Sequence, residues 1–288
     1  MIGRDLIATC WTSAGNAGPL IGDEVSTFPL RERIETAARL GWEGFGIVHA
    51  DLLRAKETTG LGEVRRMLDD SGMRHVEVEF LGDWWTTGER RQRADRQRAE
   101  LFEAAAVLGA ATIKAGTEID GEITDLPAFL DAFDQVASEA GAVGTRIALE
   151  PLPMSAVRTL EAGIEIVETV ANPHGGLAVD VWHVHRGGTS YANMRRLLPL
   201  GRIFQVELDD ARPDLVGSLW DDTINERLLP GAGIFDVPAF VRTLVEIGWN
   251  GPWGVEIISS AHRALPLEQA LADARHAALA MIDAAAAA

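Results

Sequence analysis

Eight short apolar runs of strand character alternate with eight helical patterns along this chain, and that alternation limits the folds open to it more than any other feature. The runs cover residues 5–10, 44–48, 74–80, 111–115, 146–150, 176–181, 202–208 and 253–257. Helical patterns fall at 30–40, 61–71, 89–108, 126–140, 156–170, 191–198, 236–247 and 266–285. Eight such pairs in 288 residues predict an α/β chain folded as a single (β/α)8 barrel. A doubly wound sheet has fewer strands and a phosphate-binding glycine turn after the first, and neither GxGxxG nor GxxxxGKS/T occurs here. Glycine stops the helices in ARLGWEGF, AAVLGAAT and VEIGWNGPW, just before the next strand. No linker-like stretch interrupts the pattern, so one domain is expected over residues 1–288, with the closing DAAAAA a fraying helical tail.

The chemistry gathers where strands end. The stretch 177–185, LAVDVWHVH, closes an apolar run with Asp180, then an aromatic, then His183 and His185. A carboxylate left unpaired beside a core costs several kcal/mol, which marks this as the lining of a site. Three more runs end alike: RIALE at Glu150, IFQVELDD at Glu207 and WGVEI at Glu256. In a (β/α)8 barrel the C-terminal ends of all strands open on one mouth, so these acids share a volume. Four anions in one pocket need protons or a counter-charge, and a divalent cation with oxygen ligands is the simplest answer. An all-carboxylate set, Glu150, Asp180, Glu207 and Glu256, suits Mn2+ first, with Mg2+ or Co2+ also compatible. A contribution from His183 would move the balance toward Zn2+. If strand character persists past Asp180, His183 and His185 share a face with Val181, and both need not enter the pocket.

A metal beside paired carboxylates suits removal of a proton next to a carbonyl, with the metal stabilising the enediolate. Glu150 and Glu256 are the natural proton carriers. Return of the proton to the other carbon isomerises, return to the opposite face epimerises, and loss of a β-hydroxyl dehydrates; the sequence leaves these three open.

Composition removes other classes. A formal net charge of −17 opposes a nucleic-acid or anionic-membrane partner. No apolar stretch has the roughly 20 residues that span a bilayer, and the N-terminus lacks a signal peptide's apolar segment, so a cytoplasmic location is the default expectation. The single cysteine, Cys10, reads as a small buried residue on the first strand. Two connections invite a functional reading: residues 209–235, unusually long, and 81–88, LGDWWTTG. The arginine-rich ERRQRADRQRAE reads as a solvated helix face.

The segments IALEPLP, LAVDVWHVHRGG, FQVELDDA, RLLPGAG and GPWGVEIIS resemble the xylose isomerase-like TIM barrels of the sugar phosphate isomerase/epimerase family. The resemblance runs nearly end to end and is strongest in the second half. That superfamily includes ketose 3-epimerases, inosose and 3-dehydroshikimate dehydratases, C-glycoside-cleaving lyases acting on 3-keto sugars, and endonuclease IV. The resemblance implies a divalent metal held by Glu150, Asp180, Glu256 and the residue aligned with Glu207. In the ketose epimerases the acids matching Glu150 and Glu256 also exchange the substrate proton, the residue matching His183 lies near the substrate, and the arginine matching Arg227 contacts its oxygens. Glu207 departs from the pattern, since that position is commonly His or Gln in the family; Gln205, two residues earlier on the same strand face, is the alternative ligand. Further substrate contacts are expected from His185, from Lys114 in TIKAG, where an ion pair with a pocket acid competes with substrate binding, and from His49 and Glu79 at strand ends. Trp11, Trp182 and Trp253 offer flat faces to a sugar ring.

The function expected from all this is a metal-dependent isomerase or epimerase of a small-molecule sugar or cyclic polyol ketone. A lyase or dehydratase on the same scaffold is the alternative, of the keto-inositol, 3-dehydroshikimate or 3-keto-glycoside type. A non-catalytic sugar-binding barrel is a third reading. An endonuclease-like activity needs more histidines than the seven present and a cationic groove. Exposed apolar positions on outer helices leave a homo-oligomer open.

Overall fold

The computed structural model describes residues 2–119 and 121–287, so both ends of the expected 1–288 domain, including the last alanine of the tail, lie outside the described residues. Eight strands, β1 (Leu6–Ala8), β2 (Gly44–Val48), β3 (His75–Leu81), β4 (Thr112–Ala115), β5 (Ile147–Leu149), β6 (Gly175–Asp180), β7 (Ile203–Leu208) and β8 (Trp253–Val255), pair in chain order into a closed barrel. Every pairing is parallel, and β8 closes on β1 in the register Leu6↔Trp253 and Ala8↔Val255. The expected (β/α)8 architecture is the one formed.

The outer ring consists of α1 (Leu30–Arg39), α3 (Leu61–Asp70), α4 (Gly88–Leu108), α5 (Leu126–Ala142), α6 (Leu160–Val170), α8 (Tyr191–Leu197), α10 (Val237–Ile247) and α12 (Leu267–Ala287). Four further helices, α2 (His49–Thr58), α7 (Val181–Arg186), α9 (Leu219–Asn225) and α11 (Ser260–Arg263), follow β2, β6, β7 and β8 and crowd the C-terminal end. Local chemistry sets the ends of the ring helices. Asp125 and Asp236 accept from the N–H groups of Ala128 (3.1 Å) and Ala239 (2.9 Å), and Gly248 closes α10 at φ 112°. Apolar strand residues such as Phe45, Ile113 and Ile147 are wholly buried, as are Phe133 and Phe240 on the helices. Among the described residues no helix is long and apolar enough to cross a membrane.

The structure corrects several boundaries. The first strand ends at Ala8, and Cys10, buried as expected, opens a 3-10 turn (Cys10–Ser13) that carries Thr12 toward β8. The helix expected at 156–170 begins at Leu160, because Thr159 caps it at the Ala162 N–H (3.2 Å) and the two prolines before it hold the chain in a turn. The strand expected over 176–181 stops at Asp180, whose carboxylate accepts from the N–H groups of Trp182 (2.6 Å) and His183 (3.1 Å) and so starts α7. α2 left little periodicity to read, since it buries only Asp51, Leu52 and Ala55. The tail stays helical to Ala287. Trp84, in the connection 81–88, packs on α5, with ring centroids 4.8 Å from Phe129 and 5.6 Å from Phe133.

Where β2 passes the end of β1 there is no room for a side chain. A Cβ on Gly46 would stand 2.7 Å from the Cys10 nitrogen and 3.0 Å from the Thr9 Cα, both backbone atoms. Gly46→Ala is expected to lower the unfolding free energy by about 1–3 kcal/mol in urea denaturation followed by circular dichroism. Gly62→Ala, with no atom within 4 Å of the added Cβ, should leave it unchanged or slightly higher.

Candidate active site

Strand geometry brings the four acids together at the C-terminal mouth. Glu150 and Glu256 lie one residue past β5 and β8, each still held in the ladder by its N–H, to the Ala115 carbonyl (2.8 Å) and the Leu208 carbonyl (3.2 Å). Asp180 ends β6 directly opposite Glu207 on β7. Gly254, facing Glu207 across β8, leaves space for that side chain, since a Cβ there would sit 3.0 Å from the Glu207 Cγ. One oxygen from each of Glu150, Asp180, Glu207 and Glu256 lies within 4.8 Å of the others, and all four residues are buried. His183 forms a second group with Glu150 and Asp180 by the same measure.

Two cations meet this cluster. The Lys114 Nζ stands 2.8 Å from Glu256 Oε1, 3.2 Å from Glu79 Oε2 and 3.9 Å from Glu150 Oε1. It is also 2.6 Å from Glu207 Oε1, but off the hydrogen-bonding direction, so neither Glu207 oxygen accepts an aligned bond. The Arg227 Nη1 donates to Asp180 Oδ2 (2.6 Å) and to Asp209, and lies 3.2 Å from Glu256 Oε2. Its Nη2 donates to Thr223 Oγ1 (2.9 Å) and faces His183 Nε2 at 3.1 Å. Burial alone would drive the Lys114 ammonium down, yet Glu207, Glu256, Glu79 and Glu150 together hold its pKa well above the ordinary value. Arg227 is held up in the same way by Asp180, Asp209 and Glu256.

The acids respond in the opposite sense. Burial, with repulsion from Glu256 and Asp180 only partly offset by Lys114 and Arg227, pushes Glu150 up to about 8. Burial and Glu256 raise Glu207 well above the carboxylate range, and burial and Asp180 do the same to Asp209. Burial and the neighbouring Arg227 hold His183 well below its usual value, so its imidazole is neutral. Two cations do not satisfy this many acids. Glu150 Oε1, both Glu207 oxygens and Asp209 Oδ1 are buried without a hydrogen-bond partner among the described residues. Orphaned oxygens on converging carboxylates are the donor set of a hard divalent cation, and these residues fit one.

The remaining expected residues divide. Gln205 does face the barrel interior, but it donates to Thr112 Oγ1 (2.8 Å) and stays outside the four-acid group, which contains Glu207. His185 is turned away from the acids by the helix that Asp180 starts; it is exposed and stacks on Phe235 with centroids 4.2 Å apart. His49 opens α2 and bonds Glu100 on α4 at 2.7 Å, away from the cluster. Trp11 belongs to a small apolar cluster with Cys10, Ala14, Ala17, Val48 and Ile258. Trp182 is wholly buried beneath the Arg227 guanidinium, 5.6 Å from its ring centroid. Trp253 begins β8 and bonds the Gly3 carbonyl (3.0 Å), which puts it at the opposite end of the barrel from the mouth.

Some contributors left little mark in the sequence. Thr12 donates to the Val255 carbonyl (2.7 Å) and accepts from the Ile257 N–H (2.9 Å), gripping the backbone on both sides of Glu256. Asp209 anchors Arg227, and only the doubled acid in ELDD hinted at it. In the connection 209–235, Asp210 gathers the N–H groups of Ala211, Gly231, Gly233 and Phe235 at 2.8–3.0 Å, tying the PGAG turn down.

Comparison with known proteins agrees with this architecture. Residues 34–280 match the family described as xylose isomerase-like TIM barrel. Over 242 residues the chain is 29% identical to a 3-dehydroshikimate dehydratase of Pseudomonas aeruginosa, covering 82% of this chain and 37% of that protein. Over 148 residues it is 30% identical to an inosose isomerase of Bacillus subtilis, 51% of this chain and 52% of that one. The chain thus spans about a third to a half of the length of these curated relatives. Among solved structures, an IolI protein with a bound zinc atom superposes with a TM-score of 0.81 at 21% identity, covering 97% of this chain and 98% of that one.

The raised acids carry a consequence for stability. Glu77, two residues before Glu79 on β3, is pushed up to about 7, chiefly by burial, as Glu150 is to about 8. From an ordinary value of 4.5 upward, the unfolded chain has lost protons that the folded chain keeps. The folded state binds more protons in that window, so stability falls as pH rises, by ~1.4 kcal/mol per pH unit for each carboxyl within its range. Metal-free protein in chelator is expected to melt at a higher temperature at pH 5 than at pH 8. Glu77→Gln should flatten the slope below about pH 7. A flat wild-type profile would contradict the assigned burial of these charges.

Proposed function

The chain belongs to the xylose isomerase-like TIM barrel family, and on that premise we propose that it is a single-domain, divalent-metal-dependent enzyme. It removes a proton from the carbon beside the carbonyl of a small sugar or cyclic polyol ketone and returns one, as an isomerase or epimerase. One observation carries this reading: four buried carboxylates with oxygens within 4.8 Å of one another, several of them without partners.

Glu150, Asp180, Glu207 and Glu256 would hold the cation, with Mn2+ the best fit to an all-oxygen set. When bound, a divalent ion supplies Lewis-acid stabilisation for negative charge on a substrate oxygen. Glu150 and Glu256 carry the proton, and their surroundings differ in a way that suits opposite roles. Both oxygens of Glu256 lie against cations, Lys114 at 2.8 Å and Arg227 at 3.2 Å, whereas Glu150 keeps an oxygen without a partner. Environments that separate two acids in this way allow one to take a proton while the other gives one. His183, neutral and 3.6 Å from Glu150, is placed to bond a substrate hydroxyl without adding charge. Lys114 and Arg227 put positive charge beside the developing oxyanion.

A second reading, elimination of water from the same deprotonated ketone, has one observation in its favour: the 3-dehydroshikimate dehydratase of Pseudomonas aeruginosa aligns over 82% of this chain. The two readings share the first proton removal and diverge at the next step.

Elemental analysis of the purified protein is expected to find about one divalent ion per chain, and Glu207→Gln to weaken its retention against chelators. Keto sugars incubated with the loaded enzyme in heavy water should take up deuterium beside the carbonyl, with exchange falling roughly 100-fold or more in Glu150→Gln. An unsaturated ketone absorbing in the ultraviolet would select the lyase reading. Failure to retain any metal after Mn2+ is added back would sink both.

A further inference from the structure

Lysine is scarce in this chain. Lys56 and Lys114 are the only two, and the other fixed cations are arginines. Lys56 is exposed on α2 and pairs with Glu103 at 2.7 Å, whereas Lys114 is buried on β4 among carboxylates. A guanidinium brings a rigid planar fork to such a place, as Arg227 does nearby. An ammonium on a four-carbon stem is a compact charge that changes partners by rotation about its side-chain bonds.

The partners of Lys114 fall on two sides. β4 and β8 stand opposite one another in the ring, four places apart in either direction. Lys114 therefore crosses the barrel to donate to Glu256 Oε1 (2.8 Å) and to reach Glu207 Oε1 on β7 (2.6 Å), with Glu150 Oε1 at 3.9 Å. Those three residues belong to the four whose oxygens converge. Glu79 is the exception. It lies on β3, the neighbour of β4, with its Oε2 3.2 Å from the same ammonium, and it stands outside the converging group.

Glu79 is buried as deeply as the converging acids. A buried carboxylate needs a partner, and the one that Glu79 has is the ammonium that it shares with Glu207 and Glu256. A divalent ion held by Glu207 and Glu256 would stand on the order of 5 Å from that ammonium, and positive charges so close inside a barrel repel strongly. Withdrawn toward β3, the ammonium leaves the converging acids and keeps a carboxylate.

We propose that Lys114 is a tethered competitor for the cation centre, and that Glu79 is the positioning residue that draws it aside when a divalent ion is loaded; this rests on reading Glu150, Asp180, Glu207 and Glu256 as that centre. The ammonium keeps its proton and only changes partners, leaving Glu207 and Glu256 and staying with Glu79. Lys114 thereby limits how tightly the ion is held, and Glu79 relieves the limit without touching the ion.

The test reads ion binding and needs no turnover. Metal-free full-length protein is titrated with Mn2+ by calorimetry at one pH, as wild type, Lys114→Met, Glu79→Gln and the double variant. Lys114→Met should bind Mn2+ about ten-fold or more tightly than wild type, and Glu79→Gln about ten-fold or more weakly. In the Lys114→Met background the effect of Glu79→Gln should shrink to about two-fold or less, because Glu79 acts through Lys114. An equal effect in both backgrounds, which simple loss of a nearby anion would give, overturns the proposal, and so does wild-type affinity in Lys114→Met. Should Lys114→Met fail to fold, the crystal structure of Mg2+-loaded wild type decides. Lys114 should then bond Glu79 and stand clear of Glu207 and Glu256; an ammonium still on either of them beside a bound ion overturns the proposal alone. Failure of both wild type and Lys114→Met to bind Mn2+ would instead remove the four-acid centre, and this proposal with it.

Discussion

The site depends on one ammonium placed inside a ring of carboxylates. Lys114, almost wholly buried, lies within 4 Å of Glu79, Glu150, Glu207 and Glu256, which come from four different strands or strand ends. Burying any one of those acids alone would cost several kcal/mol, and none would remain ionised. Their shared cation, with Arg227 on the far side, lets the barrel close around them before any metal arrives. The cost is incomplete satisfaction: Glu207 and Glu150 keep unpartnered oxygens, and those are the atoms a divalent ion would use. Unpaired buried oxygens of this kind lower stability where they stand, and proteins commonly keep them at sites rather than in the core.

Much of the fold was legible because a parallel barrel writes itself as a repeat, an apolar run followed by a longer amphipathic stretch, and short-range pattern is enough to read it. The strand-end acids were legible for the same reason, since topology alone brings strand ends to one mouth. Legibility failed wherever a contact crossed the barrel or a side chain redirected the backbone. TIKAG offered Lys114 an ion pair with a pocket acid, but nothing local shows that acids from β3, β5, β7 and β8 all share it. Asp180 doubles as a helix cap, so the chain coils instead of continuing as a strand, and the two histidines that alternate in sequence are sent in different directions. Gln205 and Glu207 differ in strand depth, two residues or one layer, which composition does not report.

The connection after β7 shows how a long irregular segment becomes part of a site. Asp210 draws four backbone N–H groups onto one carboxylate, and the bridge from Asp210 to Leu228 brings the chain back toward the barrel. Between these points α9 supplies Thr223, which steadies Arg227. A stretch that read as loop from composition is therefore a braced arm that sets the Arg227 charge at the mouth.

The grip of Thr12 on both sides of Glu256 has a further consequence. It lies on the seam where the last strand meets the first, so shutting that seam steadies the backbone on both sides of the fourth acid. Glu150, Asp180, Glu207 and Glu256 sit at the ends of four consecutive strands, β5 to β8, and the seam with β1 lies just beyond the last of them. The posture of Glu256 and the circumferential integrity of the barrel are thereby coupled, so a loosened seam would be felt first at the last acid of the set.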